Sequence, residues 1–246
     1  LSDALIARVL SQLQAHNPSA VGLDIYRDRP QEEGYDELLA QFDASNFIAI
    51  TNIGSPEAAG TPPPPEIDRD RIGFNDIPLD PDGIVRRNLL FANDFEGNNL
   101  PSFALQLATL YLRERGLTAR PGDRHPTYLQ FGEALFIPID SHSGGYQTID
   151  ARGYQVILRY RGDRRIARRL DIDKVLQGKF DPSWIEGKVV LIGSSAPSLR
   201  DVFATPYSAT QKVPGVLLHA QMTSQIVEAA LGERSLLWYG PEVLEL

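Results

Sequence analysis

The stretch from Lys188 to Leu231 constrains the fold of this chain more than any other part of the sequence. It opens with the continuous apolar run Val189–Ile192, which is typical of a strand covered on both faces. Small residues follow at once and predict a tight turn. Further on, Pro214 predicts the start of a helix, because its fixed φ angle suits the first helical position and its missing N–H would be unpaired there anyway. This helix is predicted to pack onto the sheet through a face that carries Val216, Ala220, Val227 and Leu231.

The connection between this strand and this helix, residues 194–213, is unusually long. Connections between strands and helices in compact α/β domains usually contain about two to six residues. Long connections without secondary structure of their own are usually functional. Residues 194–213 are therefore predicted to take part in the function.

The N-terminal part of the chain has the pattern of a β-α-β unit. Apolar residues recur at helical spacing from Leu1 to Leu13 and predict an amphipathic helix. Residues 20–25 and 46–51 are short apolar runs that predict two buried strands, and residues 34–42 between them predict a helix. Strands joined in this way are predicted to pair in parallel with a right-handed crossover.

The middle of the chain predicts an antiparallel section. Residues 72–74 predict a short strand and residues 84–91 a longer one, and the turn sequence Asp80–Gly83 lies between them. The two strands are therefore expected to form a hairpin-like pair. The turn sequence is also similar to the start of a calcium-binding loop. Its glycine comes too early, however, and no bidentate glutamate follows at the required place, so a plain β-turn is favoured.

Further elements complete the prediction. They are an amphipathic helix over residues 101–115, strands over residues 134–139 and 154–160, and a short helix over residues 171–176. Helices that alternate with buried strands predict an α/β/α sandwich around a mostly parallel mixed sheet with an antiparallel section. The sequence has no linker that would divide it, so residues 1–246 are predicted to form a single domain.

The composition limits the partners. The chain has 24 basic and 32 acidic residues, and its net charge of −8 opposes binding to nucleic acid or to an anionic membrane. The absence of cysteine excludes disulfides, thiolate metal sites and a cysteine nucleophile. No apolar run approaches the length of a membrane-spanning helix. Because the first residue is Leu1 and the only methionine is Met222, the chain is expected to be a fragment, with any membrane anchor outside it.

Candidate site residues lie where the predicted strands end. In open α/β sheets, ligands bind outside the carboxyl ends of the strands. The long connection begins at this edge, and the start of the following helix offers free N–H groups that suit an anion. The predicted ligand-binding residues are Asp24, Gly193, Ser194, Ser195, Asp201, Thr205, Gly215 and His219. The aspartates and the histidine have structural alternatives, because an aspartate at a strand end often fixes a loop and a buried histidine is often a hydrogen-bonded core residue.

An enzymatic interpretation rests on three of these residues. Ser195, Asp201 and His219 occur in the chain order of the α/β-hydrolase triad. Pro197, however, occupies the position of the second glycine of the nucleophile turn, and the three residues are unusually close in sequence. Phosphate-binding, zinc-protease and dinucleotide-binding motifs are absent. The sequence therefore predicts no catalytic residue, no metal site and no known cofactor, and an unidentified small-molecule ligand is expected instead.

Blocks of residues spread over most of the chain carry a resemblance to a known family. In the family's order they are residues 21–25, 80–87, 144–161, 189–193, 201–206 and 214–220. The chain resembles the second class of CHASE domains, which are extracytoplasmic sensory modules associated with cyclases and histidine kinases. The block at residues 144–161 is most similar to cyanobacterial members. Several blocks in one order are far more specific than any block alone.

The resemblance implies a periplasmic or extracellular sensor domain of a bacterial transmembrane receptor. One membrane helix is expected before the domain and several after it, and Trp238 and Tyr239 suit a membrane interface. The cytoplasmic output is expected to be a nucleotide cyclase, a diguanylate cyclase or a kinase, including kinases of two-component systems. A homodimer is expected. The signal is expected to pass where the first and last helices meet, because both lead to the membrane.

Two other classes of function stay open. A ligand-independent dimerisation or structural module of the same receptor would bind no small molecule and would have an extensive self-interface. A serine-hydrolase-like enzyme would lose activity when Ser195 or His219 is changed, while its fold is kept.

Overall fold

The structure is a computed structural model that describes residues 1–55, 58–162, 167–196, 201–207 and 212–239. Pro197, which bears on the enzymatic interpretation, lies outside these residues. Within them, the helices are α1 (Asp3–Gln14), α2 (Tyr35–Phe42), α3 (Phe103–Arg113), α4 (Ile172–Leu176) and α5 (Gly215–Ala230). The strands are β1 (Ala20–Asp24), β2 (Phe47–Thr51), β3 (Gly54–Ser55), β4 (Ala58–Ala59), β5 (Ile72–Phe74), β6 (Arg87–Asn93), β7 (Asn99–Pro101), β8 (Arg120–Pro121), β9 (Leu129–Phe131), β10 (Ala134–Phe136), β11 (Tyr154–Ile157), β12 (Val189–Gly193), β13 (Val202–Phe203) and β14 (Val213–Pro214).

The central sheet has the strand order β12-β1-β2-β5, and all of its strands are parallel. The predicted parallel pairing of residues 20–25 with residues 46–51 is confirmed. β1 and β2 lie inside the sheet and are almost completely buried. The strand predicted at Val189–Ile192 is also confirmed, as β12. Its predicted full burial is wrong, because β12 is an edge strand whose residues are all only partly buried.

Helices cover both faces of this sheet. Alternate residues of a strand point to opposite faces. On one face, Val21 and Leu23 pack with α1 and α2. On the other face, Ile48 and Ile50 pack with α3, and Leu191 packs with α5. The predicted α/β/α sandwich is therefore confirmed. Because α1 and α5 lie on opposite faces, the expectation that the first and last helices meet is wrong.

An antiparallel sheet with the order β11-β6-β7 lies next to β5. β6 pairs with β11 and β7, whereas β5 pairs in parallel with β2. The predicted hairpin-like pair of residues 72–74 and 84–91 is therefore wrong. The reason is burial: β5 is buried along its whole length and suits the central sheet. In β6, Asn88 and Leu90 pack against α3 and α5, whereas Leu89, Phe91 and Ala92 are only partly buried.

Helix α3 joins the two sheets. Ser102 caps its start, because the Ser102 Oγ accepts a hydrogen bond from the Leu105 N–H at 3.2 Å. Phe103 and Leu107 pack on the central sheet. Leu105 and Leu112 pack in the core of the antiparallel sheet. The same helix is therefore part of two hydrophobic cores.

Candidate functional site

The carboxyl ends of the central strands bring polar side chains together. Asp24 ends β1 and lies opposite Gly193, which ends β12. Asn75 follows β5, and its Nδ2 donates a hydrogen bond to Oδ1 of Asp24 at 3.2 Å. The Tyr26 hydroxyl donates to Oδ1 of Asn75 at 2.9 Å. A chain of hydrogen bonds therefore joins the end of β1, the loop after it and the segment after β5. We call this region the strand-end site.

The first residues of α5 lie against the strand-end site. The Gly215 N–H donates to the backbone oxygen of Asp201 at 3.1 Å. A Cβ atom on Gly215 would lie 2.5 Å from Oδ2 of Asp201, so the carboxylate occupies the space that a side chain would need. A Cβ atom on Gly193 would lie 2.7 Å from Cβ of Val216 and 3.3 Å from Cβ of Asp24. The two glycines therefore allow α5 and the two aspartates to come close together.

The loop that carries Tyr26 is anchored to α1. Arg27 and Asp3 form a buried ion pair, in which the Arg27 Nε and the Asp3 Oδ1 are 2.8 Å apart. The Arg27 Nη1 also donates to the backbone oxygen of Tyr26 at 2.7 Å. The strand-end site is thus connected to α1 through Arg27 and to α5 through Asp201, although these helices lie on opposite faces of the sheet.

Carboxylates dominate the electrostatics of this site. Burial raises the pKa of Tyr26, and nearby negative charges raise it further; these belong to Asp76, Asp24 and Asp201. Loss of surrounding water raises the pKa of Asp201, although this residue still reaches solvent, and the charge of Asp24 raises it further. Proximity to His219 lowers it. The site is therefore negative and suits a cation.

The anion expected at the start of α5 does not fit this arrangement. The Gly215 N–H already donates to Asp201, and the Asp201 carboxylate lies against the same residue. An anion would also approach the charges of Asp24 and Asp201, and like charges repel each other. The repulsion of an anion by the negative charge of the site thus outweighs its attraction to the dipole at the start of α5.

His219 is a core residue and does not have the contacts of a catalytic base. It is 4% exposed, and its ring meets Phe103 edge to face with 5.5 Å between the ring centroids. Its Nδ1 is buried and has no hydrogen-bond partner within the described residues. A catalytic triad needs a hydrogen bond from the histidine to the acidic residue as well as one to the serine. The structure therefore gives no support to a triad of Ser195, Asp201 and His219.

The predicted hydroxyl residues have local roles. The Ser194 Oγ accepts from the Ala196 N–H at 3.2 Å, and the Thr205 Oγ1 accepts from the Tyr207 N–H at 3.3 Å. Both contacts stabilise the loop to which the hydroxyl belongs. Ser195 is exposed. The predicted residues that the structure brings together at the strand-end site are Asp24, Gly193, Asp201 and Gly215.

Three residues of the strand-end site are absent from the set predicted from the sequence: Tyr26, Asn75 and Asp76. The Asp76 carboxylate accepts from the Asn52 Nδ2 at 2.8 Å and from the Ile53 N–H at 2.9 Å, and burial raises the pKa of Asp76. A signal for two of them exists in the sequence, since Asn75 and Asp76 directly follow the strand predicted at residues 72–74. The sequence prediction pairs this strand with residues 84–91 in a hairpin instead of placing it in the central sheet. It therefore does not bring Asn75 and Asp76 to the carboxyl ends of the central strands.

Two further properties concern metals and membranes. Within the described ranges, no group of three or more histidine, cysteine, aspartate or glutamate side chains is placed to hold a metal ion. In the same part of the chain, every helix is too short or too polar to cross a membrane.

A separate cleft of about 1310 Å³ lies on the outer side of the antiparallel sheet. Strands β6 and β11 contribute to it, and so do residues 76–79 and 127–129. The lining contains none of the eight residues predicted from the sequence. Asp76 belongs to the strand-end site and also lines this cleft, and the preceding residue, Asn75, hydrogen bonds to Asp24. The two regions are therefore neighbours along one short segment.

Comparison with known proteins gives one match. The model of the family described as the CHASE2 domain matches residues 1–246, which is the whole sequence. No curated protein and no solved structure matches the chain. The family match covers every block of residues that carries the resemblance described above.

Proposed function

The chain belongs to the CHASE2 domain family, and we propose that it is the ligand-binding sensor of a bacterial transmembrane receptor. CHASE2 domains are extracellular sensory domains of signalling receptors and are not catalytic. In this proposal the domain faces the periplasm or the cell exterior and forms a homodimer. The receptor's own membrane helices connect it to a cytoplasmic nucleotide cyclase, diguanylate cyclase or kinase.

The proposal rests on the convergence of two carboxylates at the start of α5. Asp24 lies against Gly193, which faces Val216 of α5, and Asp201 lies against Gly215. Burial raises the pKa of Asp201, and the charge of Asp24 raises it further. A small organic cation bound between them would replace this repulsion by two attractions. Gly193 and Gly215 leave the space in which the carboxylates lie. The proposed ligand is therefore a small molecule with an ammonium or similar group.

Such a ligand would act on both outer helices. It contacts Asp201, which hydrogen bonds to the first residue of α5, and it lies beside Tyr26, whose loop is anchored to α1 by Arg27. A ligand shifts a receptor only by binding its two states unequally. The state in which Asp24 and Asp201 are close binds the cation more tightly, so the ligand favours the state with the start of α5 near β1.

A thermal-shift screen of the purified domain tests this proposal, with amines, amino acids, organic acids and nucleotides as ligands. A cation present at about 100 times its Kd adds ~2.7 kcal/mol to the free energy of unfolding and raises the Tm. Asp24→Asn and Asp201→Asn are each expected to remove the rise. Asp43→Asn changes an exposed aspartate at the end of α2 and is expected to keep it.

Other outcomes of the screen separate the alternatives. A rise in Tm that survives both Asp24→Asn and Asp201→Asn places the ligand elsewhere and contradicts the proposed site. A rise given by anions alone contradicts the proposed ligand class. A screen in which no compound raises the Tm favours the ligand-independent dimerisation module.

A further inference from the structure

The cleft on the outer side of the antiparallel sheet has the form of a second ligand site. Leu89 and Phe91 of β6 and Tyr154 of β11 line it from the sheet. Residues 76–79 and the segment around β8 and β9 line it from outside the sheet. Its volume of about 1310 Å³ exceeds the ~300–1,000 Å³ that is usual for pockets of small molecules. The cleft therefore has room for an elongated ligand.

The arginines that line the cleft are already paired. The Arg87 Nε lies 2.7 Å from Oδ1 of Asp80, and both side chains are only 2% exposed. The other two arginines of the lining, Arg152 and Arg120, form ion pairs with Asp150 and Asp123. None of these guanidinium groups needs an anionic ligand for its charge to be balanced.

The other carboxylates of the lining, Asp76 and Asp94, accept hydrogen bonds from neighbouring side chains and N–H groups. Asp76 accepts hydrogen bonds from the Asn52 side chain and the Ile53 N–H. Asp94 accepts from the side chain and the N–H of Asn98, both within its own turn. Each charged side chain of the lining therefore has a partner, and the cleft suits a ligand without net charge.

Between the charged groups, the surface is aromatic and neutral polar. Phe95 and Leu79 line the cleft although they are 67% and 49% exposed, so a ligand would cover apolar surface that now faces solvent. Tyr128 also lines it, and one face of its ring stacks on His125, with 4.8 Å between the ring centroids. The neutral polar side chains of the lining include Asn93, Asn99 and Thr127.

We propose that this cleft binds a neutral oligosaccharide. A sugar ring combines an apolar face of C–H groups, which packs on aromatic rings, with hydroxyl groups that both donate and accept hydrogen bonds. Phe95 and the ring face of Tyr128 that does not stack on His125 supply the aromatic surface. The amides and hydroxyl of the lining supply both kinds of hydrogen-bonding group. The proposal is independent of the cation proposed for the strand-end site.

An extended peptide fits the cleft less well than a saccharide. Peptides that bind to sheets usually add a strand to a free edge, where their backbone groups find partners. The floor of this cleft is the face of a sheet, since β6 is paired on both sides, with β11 and with β7. A peptide laid on that face would leave most of its backbone N–H and C=O groups without partners from the sheet.

The test begins with binding of the purified domain to an array of neutral, acidic and basic oligosaccharides. Titration calorimetry then measures the Kd of the neutral oligosaccharide that binds best. Phe95→Ala and Tyr128→Ala are each expected to weaken this binding about tenfold, since each removes an aromatic contact. Tyr207→Ala removes an aromatic side chain that is 56% exposed outside the cleft, and it is expected to keep the affinity.

Several results would contradict the saccharide proposal, and each can be told apart from the others. The proposal is overturned if no neutral oligosaccharide binds, or if Phe95→Ala and Tyr128→Ala both bind as tightly as the unchanged domain at an unchanged Tm. Binding of extended peptides that Phe95→Ala abolishes would overturn the ligand class. Asp201→Asn is expected to leave saccharide binding unchanged, which separates this test from the test of the strand-end site.

Discussion

At the scale of single residues, the charge of Asp201 is the property most open to test. Its pKa is raised from the ordinary value of 3.8 by loss of water and by the charge of Asp24. A carboxyl group with a raised pKa holds its proton more tightly in the folded protein than in the unfolded chain. The contribution of Asp201 to stability is therefore fully present below pH 3.8 and is lost as the pH rises through the raised pKa.

We predict that Asp201→Asn removes this loss of stability at rising pH. The Tm of the variant should equal that of the unchanged domain below pH 3.8 and exceed it at neutral pH, because the amide carries no charge that loses water on folding or that Asp24 repels. Circular dichroism melts over a series of pH values measure both curves. Asp43→Asn serves as the control, with no gain at neutral pH. A lower Tm of Asp201→Asn at neutral pH would mean that the carboxylate makes a stabilising contact.

Gly22 of β1 is a position at which packing admits no side chain. A Cβ atom there would lie 2.4 Å from Cζ of Phe103 and 2.9 Å from Cδ1 of Leu107. We predict that Gly22→Ala lowers the free energy of unfolding by about 1–3 kcal/mol, the usual effect of overpacking a core. Gly145→Ala is the control, since a Cβ atom there has open space. If urea unfolding gives equal stabilities for both variants, Phe103 moves aside without strain.

At the scale of elements, a buried ion pair holds the turn Asp80–Gly83 to the antiparallel sheet. Asp80 accepts from the Arg87 Nε at 2.7 Å and from the Tyr146 hydroxyl at 3.1 Å. The Gly83 N–H donates to the Asp80 backbone oxygen at 2.8 Å, and the φ angle of Gly83 is +77°, as in a β-turn. The side chains of Asp80 and Asp82 bind arginines, which favours the plain turn over a calcium loop.

Removing one partner of this pair should destabilise the domain strongly. We predict that Asp80→Ala lowers the free energy of unfolding by about 3–5 kcal/mol, because the Arg87 charge stays buried without its partner. Asp82→Ala breaks an ion pair with Arg86 at the surface and should leave stability nearly unchanged. Urea unfolding of the two variants measures the difference. A similar loss of unfolding free energy in Asp80→Ala and Asp82→Ala would show that burial does not decide the strength of these ion pairs.

Helix α5 illustrates the limit of helical periodicity. Its pattern predicts one buried face, yet the helix is buried almost all round, and Gln221 and Gln225 are 0% and 4% exposed. The Gln225 Nε2 donates to the Ile157 backbone oxygen at 2.7 Å, and the Gln221 Oε1 accepts from the Arg161 N–H at 3.3 Å. The Gln225 amide is stable in the core because the end of β11 offers it a partner, whereas the Nε2 of Gln221 has no hydrogen-bond partner within the described residues. Spacing within the helix carries no information about that neighbour.

At the scale of the whole molecule, the two hydrophobic cores share α3, and we predict that they unfold together. Trp184 lies just before β12 of the central sheet, and Trp238 lies near Ile137 and Val156, on the side of the antiparallel sheet. In Trp184→Phe the remaining tryptophan is Trp238, which reports on the antiparallel sheet. In Trp238→Phe it is Trp184, which reports on the central sheet. The urea transitions followed by fluorescence should coincide with each other and with circular dichroism. Two separate transitions would contradict the prediction of a single domain.

Local patterns in the sequence determine where the elements lie and which family the chain belongs to. Residues 20–25, 46–51 and 101–115 predict β1, β2 and α3 to within a few residues. This works because the spacing of apolar residues follows the geometry of the helix or strand itself, which is a local property of the chain. Asp24, Gly193 and Gly215 can be found in the same way, since each lies next to the end of a predicted element, whereas Asp201 is found because it lies in the long connection between two of them.

The tertiary structure alone decides which elements become neighbours. It places β5 beside β2, so that Asn75 reaches Asp24 across 51 positions in the chain, and it leaves β12 at an edge. It also forms the cleft from segments that the sequence keeps far apart. The physical reason is that strand pairing and packing depend on shape and burial over the whole molecule, whereas a sequence pattern records only whether a residue is buried, not what buries it.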